Sequence, residues 1–151
     1  MADQFNSMLA QLGEKWGLSL RLDQQNAAKL TDRHGTVWQL EYYPETGSFT
    51  FSGVIDCQIH SEEDYSFWLG LNRERDLMGY SYISVEDGLV HLECTLPADV
   101  LDAQQLGNLL ENMSGLMVEL VDYGAKGTLA RSVPLQKSSG HTDGALMFLE
   151  V

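Results

Sequence analysis

Three runs of strand-like residues, each closed by a turn, follow one another between Ala27 and Ile55, and they narrow what this chain can fold into more than any other feature. The first runs from Ala27 to Thr31 and is closed by Asp32 to Gly35. The second, Thr36 to Tyr43, sets Trp38, Leu40 and Tyr42 on one face against Val37, Gln39 and Glu41 on the other. After Pro44 to Gly47 comes the third, Ser48 to Ile55. Short turns join antiparallel neighbours, because parallel strands need a long crossover.

Helical spacing brackets this block. Phe5, Met8, Leu9, Leu12 and Trp16 fall on one stripe, with Asp3 placed to cap the helix and Gly17 to end it. Leu18, Leu20 and Leu22 then alternate as a short extended piece. Ser61, followed by Glu62, Glu63 and Asp64, starts a second helix with its acids where the helix dipole favours them. That helix carries Tyr65, Trp68, Leu69 and Asn72 on one flank and Phe67 and Leu71 on another, and Gly79 breaks it. Tyr80 to Val85 and Leu89 to Leu96 flank Glu86-Asp87-Gly88, a hairpin signal. Asp102, with Gln105 three residues on, opens a last helix whose face reads Leu106, Leu109, Leu110, Met113, Leu116, Met117, Leu120 and Val121. The expected fold is α+β, an antiparallel five-stranded twisted sheet with three helices in the order α-β-β-β-α-β-β-α.

A chain of 151 residues suits one folded body, expected over 1–122, with a tail over 123–151. Its net charge of −13 is uneven. The first 122 residues hold 20 acids and 6 bases, and no Lys or Arg lies between Arg75 and Lys126. Such a surface repels nucleic acid and anionic membrane and suits protein partners. Cys57 and Cys94 have no metal-ligand spacing and are read as reduced, semi-buried residues of a cytoplasmic protein. The opening Met-Ala-Asp-Gln-Phe is not read as a secretory signal, and no apolar run approaches the ~20 residues of a membrane span.

No catalytic or cofactor motif is present: no Gly-rich phosphate loop, no Gly-x-Ser-x-Gly and no His-Glu-x-x-His. His34, His60, His91 and His141 are far apart. Glu62, Glu63 and Asp64 could ligate a divalent cation, but in the first turn of a helix they read better as a solvated cap. Trp38, Tyr42, Tyr43, Phe49 and Phe51 resemble a base-stacking platform, yet no Lys or Arg lies between Thr36 and Ile55 to hold phosphate. The expectation is a protein that is not an enzyme, with no metal, cofactor or nucleic acid.

The order of elements resembles the class I type III secretion chaperones, the Tir-chaperone-like family. Met8-Leu9-Ala10-Gln11-Leu12-Gly13 and Trp16-Gly17-Leu18-Ser19-Leu20 are similar to that family's opening helix and its Gly-Leu-x-Leu exit. Leu69-Gly70-Leu71-Asn72, Gly88-Leu89-Val90-His91-Leu92, Leu96-Pro97 and the capped last helix continue the resemblance through Val121. A second resemblance, to the YbjN-type proteins of related fold, lies around Leu71-Asn72-Arg73-Glu74-Arg75. It would imply a protein-interaction or regulatory role not tied to secretion.

The chaperone resemblance implies a cytoplasmic homodimer that binds the N-terminal region of a secreted effector in extended form, without nucleotide. The expected effector contacts are Phe5, Leu9, Leu18, Leu20, Leu22 and Leu30, with Leu9 and Leu20 equally readable as core. The two-flanked second helix suggests a dimer interface of Tyr65, Phe67, Trp68, Leu69 and Leu71, with Tyr80 and Tyr82 of the next strand.

The tail mixes Gly124, Gly127, Gly140 and Gly144 with Ser and Thr, a linker composition. It ends in Ala145-Leu146-Met147-Phe148-Leu149-Glu150-Val151, an apolar run that would be an aggregation hazard in water. This run either docks as one strand, with Leu146, Phe148 and Glu150 on a shared face, or frays. A docked run could hold a site that an effector must displace it from.

Overall fold

The computed structural model describes residues 2–125 and 148–150. Helix α1 (Ala2–Trp16) is followed by β1 (Ala27–Asp32), β2 (Val37–Tyr43) and β3 (Ser48–Ile55). Next come α2 (Glu62–Gly70), a 3-10 turn at Leu71–Arg73, the short α3 (Arg75–Met78) and the hairpin β4 (Ser81–Glu86) and β5 (Leu89–Pro97). A 3-10 turn at Ala98–Val100 leads to α4 (Ala103–Ala125), and β6 (Phe148–Glu150) closes the chain. The sheet order is β4-β5-β3-β2-β1-β6, every neighbour antiparallel. The expected five strands are thus present, and β6 adds a sixth. The expected tail begins later than residue 123, since Tyr123, Gly124 and Ala125 continue α4; the rest of the expected linker and Leu146 lie outside the described residues.

Local chemistry accounts for the boundaries. Gly17, at φ 73°, ends α1, where Leu18 N–H donates to Gly13 O at 2.8 Å and Gly17 N–H to Glu14 O at 3.4 Å. This paired closure satisfies carbonyls that the helix leaves open. Asp3 sits inside the first turn of α1 rather than before it, so it acts on the dipole and not as the cap. The expected extended piece at Leu18 to Leu22 forms no strand; Leu22 N–H donates to Asn6 Oδ1 at 2.8 Å instead. Asp87 and Gly88 both have positive φ (53° and 75°), the backbone that a two-residue hairpin needs to match strand twist. At α4, Gln105 N–H donates to Asp102 Oδ1 at 2.7 Å and Asp102 N–H to Gln105 Oε1 at 2.9 Å, a reciprocal capping box.

One sheet face is covered by α1 and α4, and the core lies between. Phe5 of α1 stacks on Tyr42 and Phe49, with ring centroids 5.1 and 5.3 Å away. Trp38 lies flat against Phe51 at 4.7 Å and over its cross-strand partner Gly53. A Cβ on Gly53 would come within 2.9 Å of the Trp38 ring, so the indole needs glycine there. The opposite sheet face is polar and half-exposed, with Thr50 hydrogen-bonded to Thr95 at 2.8 Å and Thr95 to Tyr82 at 3.0 Å.

Candidate functional site

A sheet offers two edges of unpaired backbone groups, and folded proteins usually cover or disrupt them. Here they are treated differently. At β4, Asn72 presents its side-chain amide to the strand: Nδ2 donates to Ile83 O at 2.9 Å, and Oδ1 accepts Ile83 N–H at 2.6 Å. The side chain fills both hydrogen-bonding roles that an added strand would fill at that residue. Leu71, buried just before it, anchors the turn that places Asn72. The Leu71-Asn72 pair noted in the sequence is therefore an edge closure.

The other edge belongs to β1 and carries β6. Leu30, Thr31 and Asp32 face Glu150, Leu149 and Phe148 in antiparallel register. The Phe148 side chain is 0% exposed. It stacks on Trp16 at the end of α1 (centroids 4.8 Å, 24° between planes) and meets Phe51 edge-on at 6.4 Å. The indole Nε1 of Trp16 is buried and has no hydrogen-bond partner among the described residues. Beyond β6, Ala27 is tied to Asp23, which donates its N–H to Ala27 O (2.8 Å) and accepts Ala27 N–H at Oδ1 (3.0 Å). A cleft of about 250 Å³, bounded by Ser19, Leu20, Arg21, Asp23 and Ala27–Lys29, lies beside this stretch. The edge thus combines backbone for pairing with an aromatic pocket for one side chain.

Asp32, read in the sequence only as a turn residue, holds this edge in place. Its Oδ1 accepts the N–H groups of His34 (2.9 Å) and Thr36 (3.0 Å). Its Oδ2 accepts Trp38 Nε1–H at 2.9 Å and the Ser114 hydroxyl at 2.6 Å. The signal for the local half was the Asp-x-x-Gly turn; nothing in the sequence pointed to Ser114.

The expected effector contacts are mostly interior. Phe5, Leu9, Leu20, Leu22 and Leu30 are buried, and only Leu18 keeps part of its surface. Their side chains fill the interior between α1 and the sheet, and Leu30 also pairs through its backbone with Glu150 of β6. The expected dimer set divides similarly. Trp68 and Leu71 are buried, whereas Tyr65 (39%), Leu69 (43%) and Tyr80 (72%) are exposed. The second apolar flank of α2 is covered by α4 of the same chain: Phe67 packs on Tyr123 at 5.2 Å, and a Cβ on Gly124 would strike the Trp68 ring at 2.5 Å.

Reactive chemistry is sparse among the described residues. No group of three or more His, Cys, Asp or Glu residues is placed to hold a metal ion. Cys57 and Cys94 are free. Burial pushes the Cys94 thiol up to about 11. Burial, then Asp56 and Asp64, raises the Cys57 thiol above its ordinary range. No helix among the described residues is long and apolar enough to cross a membrane.

Residues 7–121 match the family model of the Tir chaperone protein (CesT) family. No curated protein sequence matches significantly. Among solved structures, a chain of the ExsC-ExsE complex superposes with a TM-score of 0.71 at 18% identity, covering 81% of this chain and 94% of that one. The heterodimeric ExoU-SpcU complex from the type III secretion system of Pseudomonas aeruginosa gives 0.59 at 20% identity, covering 78% and 94%. The Yersinia pestis type III secretion chaperone SycH, solved with a stable fragment of YscM2, gives 0.57 at 17%, covering 81% and 98%. These likenesses establish the fold.

Proposed function

Since the chain belongs to the Tir chaperone protein (CesT) family, we propose that it is a cytoplasmic type III secretion chaperone. It binds the N-terminal region of a secreted effector in extended form and keeps that region competent for export, without nucleotide. The observation that carries this reading is the β1 edge, which takes an extended strand and buries its aromatic side chain against Trp16 and Phe51. Backbone pairing supplies affinity without demanding a sequence, and one pocket supplies register, a combination suited to holding a chain unfolded.

The surface charge supports the same role. A net charge of −13 keeps a protein that exposes apolar surface soluble, and it speeds encounter with neutral or basic segments. Raising salt to physiological strength should then slow association by roughly tenfold while changing dissociation less. The working unit is a homodimer, joined through the exposed flank of α2 and the start of β4.

The decisive experiment uses the source bacterium. The tagged chain should recover a protein that vanishes from the secreted fraction when the chaperone gene is deleted. Limited proteolysis of the complex should leave an N-terminal segment of that protein protected. Unchanged secretion, or protection of a folded domain alone, would overturn the reading.

A further inference from the structure

The family match ends at residue 121, before β6, so the five-stranded body is accounted for without the C-terminal strand. Yet β6 occupies the one sheet edge that Asn72 does not close. Among the described residues, β6 pairs Glu150, Leu149 and Phe148 with Leu30, Thr31 and Asp32 of β1, and it buries one ring. The Phe148 ring, fully buried between Trp16 and Phe51, anchors it. Among the described residues, the Trp16 Nε1–H beside it has no acceptor.

We infer that β6 is a stand-in client: the chain's own Phe148–Glu150 strand holds the β1 edge and the Trp16–Phe51 pocket, and an effector segment carrying an aromatic anchor displaces it. This rests on the proposed chaperone function and adds its regulation. The occupant shows what the seat accepts, namely a short extended segment with a ring opposite Asp32. A tethered strand presents itself at an effective concentration on the order of mM. Weak or non-specific peptides therefore lose the competition, and an empty aromatic pocket is never left in water. An effector segment wins by pairing over a longer stretch of β1.

The test uses the full chain and a labelled synthetic peptide of the sequence Ala145–Val151. Hydrogen exchange on the wild-type chain should show the Phe148–Glu150 amides opening at least 100-fold faster than those of β2 and β3. The peptide should bind the Phe148→Ala chain at least tenfold more tightly than the wild type, and a peptide with alanine in place of its phenylalanine should bind neither. Exchange of β6 only with global unfolding would overturn the inference, as would equal peptide binding to the two chains. Exchange rates that change with protein concentration would also overturn it, because the strand would then come from a second copy. If Phe148→Ala does not fold, the exchange measurement decides alone. An effector segment that binds both chains equally would remove the stand-in and leave the chaperone function standing. Peptide exchange with no secreted client in the bacterium would do the reverse.

Discussion

The Asp32 carboxylate accepts the Ser114 hydroxyl at 2.6 Å, joining the β1–β2 turn to the middle of α4 across 82 residues of sequence. Both side chains are buried, Asp32 at 2% and Ser114 at 0% exposure. The same carboxylate takes Trp38 Nε1–H and two backbone N–H groups, so its four acceptor positions are filled. A satisfied carboxylate of this kind orients the turn, the helix and the indole together, and all three lie beside the strand-accepting edge.

Removing that acceptor should be costly. Asp32→Ala leaves four donors without a partner and is expected to lower stability by about 3 kcal/mol or more in urea unfolding, against about 1 kcal/mol for Ser114→Ala. The double variant should fall short of the sum, as expected for directly coupled groups. Full additivity would show that the two side chains act independently.

Two glycines should respond in opposite directions. Gly53→Ala places a methyl 2.9 Å from the Trp38 ring and 3.2 Å from Met117 Cε, an overpacking expected to cost about 1–3 kcal/mol. Gly115 lies inside α4 with nothing within 4 Å of a new Cβ, so Gly115→Ala should stabilise by about 0.5–1 kcal/mol. Thermal melts of both variants check the pair.

Light scattering at micromolar concentration should give twice the 16.9 kDa chain mass. A stable dimer of this class buries more than ~2,000 Å², and the exposed Tyr65, Leu69 and Tyr80 are its expected anchors. Leu69→Glu or Tyr80→Glu should return the mass to that of one chain. A wild-type monomer would remove the dimer.

Only a thiolate attacks Ellman's reagent. At pH 8 Cys57 should react slowly and Cys94 only in denaturant, since burial raises both thiols. For Cys94 the reference thiol ionises at 9.0 and the folded one at about 11. The unfolded chain therefore loses its proton first, and the Cys94 contribution makes stability fall as pH rises through that window. Rapid reaction of Cys94 in the native protein would contradict its burial.

Much of the architecture was legible because it rests on local chemistry. The β3 bounds Ser48–Ile55, the Asp102–Gln105 box, the Gly17 stop and the Asp87-Gly88 turn are written in adjacent residues. The site was less legible because it depends on what covers what. Apolar spacing placed Leu9 on its helix and marked Leu20 as apolar, but it could not tell a lining from a contact. Both flanks of α2 looked like spare surface because nothing local tells that Tyr123 packs on Phe67 and that Gly124 makes room for Trp68. Phe148 was recognisable as something that should dock, whereas its stack on Trp16 required the fold.

The amide of Asn72, locked onto Ile83, also bounds how far copies of this molecule can join through their backbones. Endless sheet growth needs two receptive ends on each unit, as in a cross-β fibre. Asn72 occupies the outward N–H and C=O of Ile83 in the middle of β4, which works against growth from that end. With β6 on one edge and Asn72 on the other, edge-to-edge stacking of these molecules is disfavoured.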